Sequence, residues 1–150
     1  MMAGGRDVRV LFAGGVLVKD IEWSYVFSVG NDEIDEDHHR LINLFNILNH
    51  SVTEGDDPAY LAAVLTELIN CTVWHFSHEE RLMVKYGYEG LAEHKAEHQE
   101  LIKSVRELQQ KILQAGSLVP NEDLTSLEHW LIMHILSTDM QLGSYLTEVM

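Results

Sequence analysis

Apolar residues recur at steps of three and four through four separate stretches of this chain, and that spacing leaves little choice of fold. The first stretch gives Ile34, Leu41, Phe45, Leu48 and Val52; the second gives Leu61, Leu65, Leu68 and Leu82. The third gives Leu91, Leu101, Val105, Leu108 and Ile112, and the fourth gives Leu124, Leu127 and Leu131. A helix with 3.6 residues per turn places such residues on one stripe, and alternating three- and four-residue steps are the seam of helices packed at a shallow angle. Turn residues punctuate the stretches. Asp35 is read as the cap of the first, and Gly55 ends it. Asp57 caps the second, with Pro58 at the first helical position, where a missing N–H costs nothing. Gly87 and Gly90 separate the second from the third. Gly116 and Pro120-Asn121 separate the third from the fourth, whose first turn carries Glu122 and Asp123 beside the positive end of the helix dipole. Short connections make neighbours antiparallel, so the expected architecture is all-α, an up-down-up-down four-helix bundle.

The same stripes carry residues that a hydrophobic core excludes. His38, His75, Glu79, His94, His98 and His134 all fall in the inward register, with Thr72, Tyr86 and Thr138. Each unpaired polar group buried in a core costs roughly 1–3 kcal/mol, and a domain has only about 5–15 kcal/mol of net stability. Six such groups must therefore satisfy something in common, and a metal does so. His75 and Glu79 are four apart, as are His94 and His98, so each pair projects from one helix face one turn apart. Alternating helix directions bring all six to one level near one end of the bundle. The remaining ligand is open at this stage. Asp139 follows His134 by five residues, about 140° away on an ideal α-helix, an offset that two metals could use. Asp35 competes, but capping accounts for it. His39, His50, His78 and His129 lack the register and are not read as ligands. Glu80 is read as solvated, and Glu33, Glu36 and Asp37 as an acidic start to the first helix that complements its dipole.

Composition narrows the function classes. The chain has 150 residues, suited to one domain, and a formal net charge of −14, which repels nucleic acid and anionic membrane surfaces. A single cysteine, Cys71, excludes an internal disulfide framework and fits a reducing, cytoplasmic setting. No apolar run reaches the ~18 residues of a membrane span. The stretch from Val8 to Val18 is broken by Arg9, Gly14 and Gly15, and Lys19-Asp20 follows it without a small-residue cleavage site. Residues 1–20 are read as a tail, an added strand or a non-native remnant, and residues 21–150 as the bundle domain.

From about Trp23 to Leu146 the chain resembles the hemerythrin family, its bacterial members above all. The resemblance is carried by Ser28-Val29-Gly30, Ile34-Asp35 then His38, His75-Phe76-x-x-Glu79-Glu80, Leu82-Met83, His94-x-x-x-His98, and Trp130-Leu131-x-x-His134-Ile135-x-x-x-Asp139. It implies a non-heme di-iron centre, with one iron held by His94, His98 and His134 and the other by His38 and His75. Glu79 and Asp139 would bridge both, together with an oxo or hydroxo oxygen. The second iron then has one ligand fewer and an open position for a small molecule, with Trp130, Leu131 and Ile135 as walls of an oxygen pocket. Asp37 stands where the family often has glutamine, and Asn31-Asp32 replaces a more usual apolar-proline start. Five neutral imidazoles against two carboxylates favour reversible two-electron exchange with dioxygen over O–O cleavage, so the implied role is an oxygen carrier, store or delivery protein, without catalytic residues. An oxygen or redox sensor is the first alternative, and a peroxidase or nitric oxide-processing enzyme the second. Dioxygen is the expected partner, beside an oxygen-consuming or signalling protein that the sequence does not identify.

Overall fold

The computed structural model describes residues 11–12, 15–16, 20–115 and 121–150, and the side chains of residues 20–114 and 122–150. Four helical rods dominate. They are α1 (Asp32–Thr53), α2 (Pro58–Lys85), α3 (Leu91–Ala115) and a composite fourth rod. The fourth rod begins as α4 (Asn121–Met133), passes through a π-helical segment (His134–Asp139) and ends as α5 (Met140–Val149). A 3-10 turn at Tyr25–Phe27 precedes α1. Among the described residues the β-structure is one two-residue antiparallel pairing of β1 (Leu11–Phe12) with β2 (Gly15–Val16). Gly116 and Pro120 lie outside the described residues, as do most of residues 1–20.

Cross-helix bonds fix the directions. Asp37 near the start of α1 meets His75 and His78 near the end of α2. Gln109 near the end of α3 donates to the Ala62 carbonyl near the start of α2, whereas Glu79 late in α2 meets His94 early in α3. Glu97 of α3 meets His134 and Thr138 of the fourth rod. Each neighbour runs antiparallel to the last, which is the expected up-down-up-down bundle.

The caps follow local chemistry, with one correction. Asp57 accepts from the Ala59 N–H, and Gly55 and Gly87 take φ of 70° and 67°, where glycine has no Cβ penalty. The cap of α1 is Asn31, whose side chain accepts from the Ile34 N–H, and not Asp35. Asp35 sits inside the first turn and instead accepts from Ser28 Oγ and from the Val29 N–H at 2.8 Å, pinning the approach to the helix. Further out, the Ile21 backbone exchanges two 2.9 Å bonds with the Asn46 side chain. Trp23 lies against His39 at 3.9 Å.

Two apolar clusters fill the bundle. The larger includes Phe45, Leu48, Leu61, Leu65, Ile112, Leu124, Leu131 and Ile135. The smaller comprises Val29, Ile34, Leu82, Met83, Leu142 and Leu146. Each fully buried side chain of this size contributes roughly 1.5–3 kcal/mol. The histidine and carboxylate positions fall at the junction of the two clusters, with Leu91 packing against the smaller one at the start of α3. Gly143 lets α5 approach the Ser28-Val29-Gly30 arm, for a Cβ there would overlap the Val29 carbonyl and Val29 Cβ. Gly143→Ala is therefore expected to cost about 1–3 kcal/mol, read as a lower midpoint in thermal unfolding. An unchanged midpoint would mean that the arm is not held as described.

Candidate metal centre

Seven side chains converge between the clusters. His38 comes from α1, His75 and Glu79 from α2, His94 and His98 from α3, and His134 and Asp139 from the π segment; all are at most 4% exposed. They form two overlapping sets whose ligand atoms lie within 4.8 Å of one another. One set is Glu79, His94, His98, His134 and Asp139, and the other is His38, His75, Glu79 and Asp139.

The carboxylates divide their oxygens between the sets. Glu79 presents Oε1 to the Nε2 atoms of His94 and His98, each at 3.1 Å, and Oε2 to His75 Nε2 at 3.1 Å and His38 Nε2 at 3.5 Å. Asp139 presents Oδ1 to His94 Nε2 at 2.9 Å and His134 Nε2 at 3.0 Å, and Oδ2 to His38 Nε2 at 2.8 Å. Despite these separations, Nε2 of His38, His75, His98 and His134, Oε2 of Glu79 and both oxygens of Asp139 make no hydrogen bond among the described residues. Proximity without bond geometry is the mark of lone pairs aimed at a common point beside one another. A buried polar atom left so costs the fold unless a cation completes it. The donor set fits one or two transition-metal ions of the borderline class that imidazole and carboxylate share, iron included.

The π segment explains how Asp139 joins His134. The Met140 N–H donates to the Ile135 carbonyl five residues back. A π turn closes over five residues, so residues five apart share a face that an α-helix would separate by about 140°. The inward stripe runs His134, Asp139, Leu142, Leu146, all buried. Thr138, read from the sequence as the next inward residue, is displaced outward, where Oγ1 donates to Glu97 Oε1 at 2.8 Å.

Three rings are braced from behind. Nδ1 of His75 donates to Asp37 Oδ2 at 2.8 Å, Nδ1 of His98 to Glu80 Oε2 at 3.0 Å, and Nδ1 of His134 to Glu97 Oε1 at 2.9 Å. Such bonds fix the tautomer that leaves Nε2 free to ligate. Two sequence readings are corrected here. Asp37 is buried at 4% exposure rather than part of a solvated acidic face, and Glu80 is committed to His98. His78, off the ligand register as expected, is buried with Nδ1 on Asp37 and Nε2 on Glu33. His50 pairs with Asp20, and His39 and His129 are exposed. Aromatic faces close the sides. Phe76 stacks on His98 with centroids 3.5 Å apart, and Trp130 stacks on His134 at 4.5 Å. Leu131 and Ile135 lie in the larger apolar cluster. Sequence reading gave Phe76 no role of its own, although its place beside His75 was the available signal.

Electrostatics within the cluster are severe. Burial opposes charge on His75, yet the Glu79 carboxylate and the bond to Asp37 carry its pKa up to about 10. Burial likewise opposes His94, and the adjacent Asp139 and Glu79 carboxylates bring it up to about 9. Burial would raise the carboxyls of Asp139 and Glu79, and repulsion from Glu79 adds to this at Asp139, but the surrounding imidazoles hold both well below the ordinary carboxylate range.

A sequence model of the hemerythrin HHE cation-binding domain matches residues 29–146. Bacteriohemerythrin of Stenotrophomonas maltophilia (strain R551-3) is 36% identical over 117 residues, which cover 78% of this chain and 75% of that protein. Bacteriohemerythrin of Methylococcus capsulatus (strain Bath) is 34% identical over 114 residues, covering 75% of this chain and 86% of that one. A crystal structure of wild-type hemerythrin superposes with a TM-score of 0.76 at 29% identity, covering 83% of this chain and 95% of that one.

Protons and metal compete for these nitrogens. In the metal-free protein His75 and His94 keep their protons up to pH 9–10, above the unfolded value near 6.5. Their contribution to the metal-free fold is complete below pH ~6.5 and is lost as pH rises through 9–10. Metal must displace those protons, so Co²⁺ affinity is expected to fall by about tenfold per proton displaced for each unit of pH between 8 and 6. Affinity independent of pH over that range would mean that metal does not displace protons from these nitrogens.

Proposed function

We propose that this chain, which belongs to the hemerythrin family, binds dioxygen reversibly at a non-heme di-iron site and serves as an oxygen carrier, store or delivery protein rather than an enzyme. His94, His98 and His134 would hold one iron and His38 and His75 the other, with Glu79 and Asp139 shared between them. What supports this reading is the division of the two carboxylates, each turning one oxygen to the three-histidine set and the other to the two-histidine set. When bound, a pair of irons supplies two electrons that can pass to dioxygen and return. The two-histidine set offers one protein ligand fewer, so that side has room for a small molecule.

The chain's own residues serve retention and release. Phe76 and Trp130 cover His98 and His134 with apolar faces, Leu131 and Ile135 belong to the apolar cluster on that side, and Ile34, Leu82 and Met83 belong to the other cluster. Such walls would limit the access of water and protons to the site. The carboxylates Asp37, Glu80 and Glu97 lie behind the rings and are already bonded to Nδ1 atoms. None of these three is aimed into the site as a general acid or base, which favours carriage over turnover. No helix among the described residues is long and apolar enough to cross a membrane. Cys71, free and half-buried, fits the cytoplasmic setting that we infer.

The test is optical. Iron-loaded protein, reduced without oxygen, is exposed to air and then purged through repeated cycles. A visible charge-transfer band that rises with dioxygen and vanishes on purging is the expected result. A band that forms once and decays to a stable ferric form would overturn reversible carriage and put redox sensing, or turnover with peroxide or nitric oxide, ahead of it.

A further inference from the structure

We infer that Asp37 is a positioning residue for the two-histidine side of the centre, holding the His75 ring and strengthening it as a donor, with His78 and Glu33 holding Asp37 in turn. This rests on the reading of His75 as a ligand given above. Asp37 follows from its place in α1, one residue before His38 and so about 100° round the helix, facing α2 instead of the cluster centre. His75 and His78, three apart on α2, share a face, and both bring Nδ1 to the same Asp37 oxygen, at 2.8 and 2.7 Å. His78 Nε2 then stands 2.9 Å from Glu33 Oε1, whose side chain is 62% exposed. A chain of four side chains thus runs from the candidate ligand to solvent, and it accounts for two buried polar residues, Asp37 and His78, that the ligand set does not use.

Charge distinguishes this brace from the other two. The Asp37 side chain is 5% exposed, against 23% for Glu80 and 47% for Glu97. Water screens a carboxylate in proportion to its exposure, so Asp37 acts on its imidazole with the least attenuation. His38, the other imidazole of the two-histidine set, has no hydrogen-bond partner at Nδ1 among the described residues. The donor strength of that side therefore depends on Asp37. A more basic His75 binds metal more tightly and favours its higher oxidation state.

Asp37→Asn keeps the size and an accepting oxygen but removes the charge. Metal-free full-length protein is titrated with Co²⁺, and the midpoint potential of the iron-loaded protein is measured alongside. Wild type is expected to take up two Co²⁺ with histidine ligand-field bands. The variant is expected to lose about 10–100-fold in affinity at one site, to stay within twofold at the other, and to shift to a more positive potential. His78→Gln is expected to move both quantities the same way by less, and it carries the test if Asp37→Asn does not fold. Unchanged affinity and potential would overturn the inference, as would equal loss at both sites, which marks a merely structural role. Wild type without histidine-bound Co²⁺ would overturn the ligand reading and this inference with it, and the wild-type arm tells the two failures apart.

Discussion

Seven buried side chains whose ligating atoms approach within about a hydrogen-bond length yet mostly make no hydrogen bond are the constraint on which this bundle depends. Marginally stable domains do not tolerate such a cluster by itself. The rest of the structure is arranged to make it tolerable. Three of the rods deliver the candidate ligands in pairs and α1 adds His38, alternating directions bring them to one level, and apolar layers above and below leave a cation as the natural complement. Without a metal, protons take that place, which is why His75 and His94 hold theirs so firmly while the carboxyls of Glu79 and Asp139 stay ionised.

Much of this was legible because helices report their inward face one turn at a time. The stripe from Ile34 to Leu131 and the pairing of His75 with Glu79 and His94 with His98 follow from a 3.6-residue repeat, and the structure keeps them. The fourth rod was not legible in the same way. A π turn leaves no signature in composition, so an α-helical ruler puts Thr138 inward and leaves Asp139 unexplained. Only the family resemblance supplied Asp139, and only the i→i+5 bond from Met140 to Ile135 gives the physical reason. The cap of the first helix was misread for a related reason. Asn31 and Asp35 are both competent caps, and the choice was made by Ser28 and Val29, which occupy the Asp35 carboxylate.

The braces behind the rings were least visible. Asp37, Glu80 and Glu97 look like ordinary surface acids on charged helices, and a net charge of −14 encourages that reading. Their roles depend on which helix packs opposite and at what height, information that lies between segments and not within one. The high acidic content is thus partly functional, since three of those carboxylates set the ring orientation of three candidate ligands.

As proposed above, one cluster holds two metal ions that share Glu79 and Asp139. Anomalous scattering at the iron edge from crystals of the iron-loaded protein tests it most directly. Two peaks are expected, one beside His94, His98 and His134 and one beside His38 and His75, with both carboxylates between them. A single peak, or two peaks with Glu79 and Asp139 each serving only one ion, would contradict it.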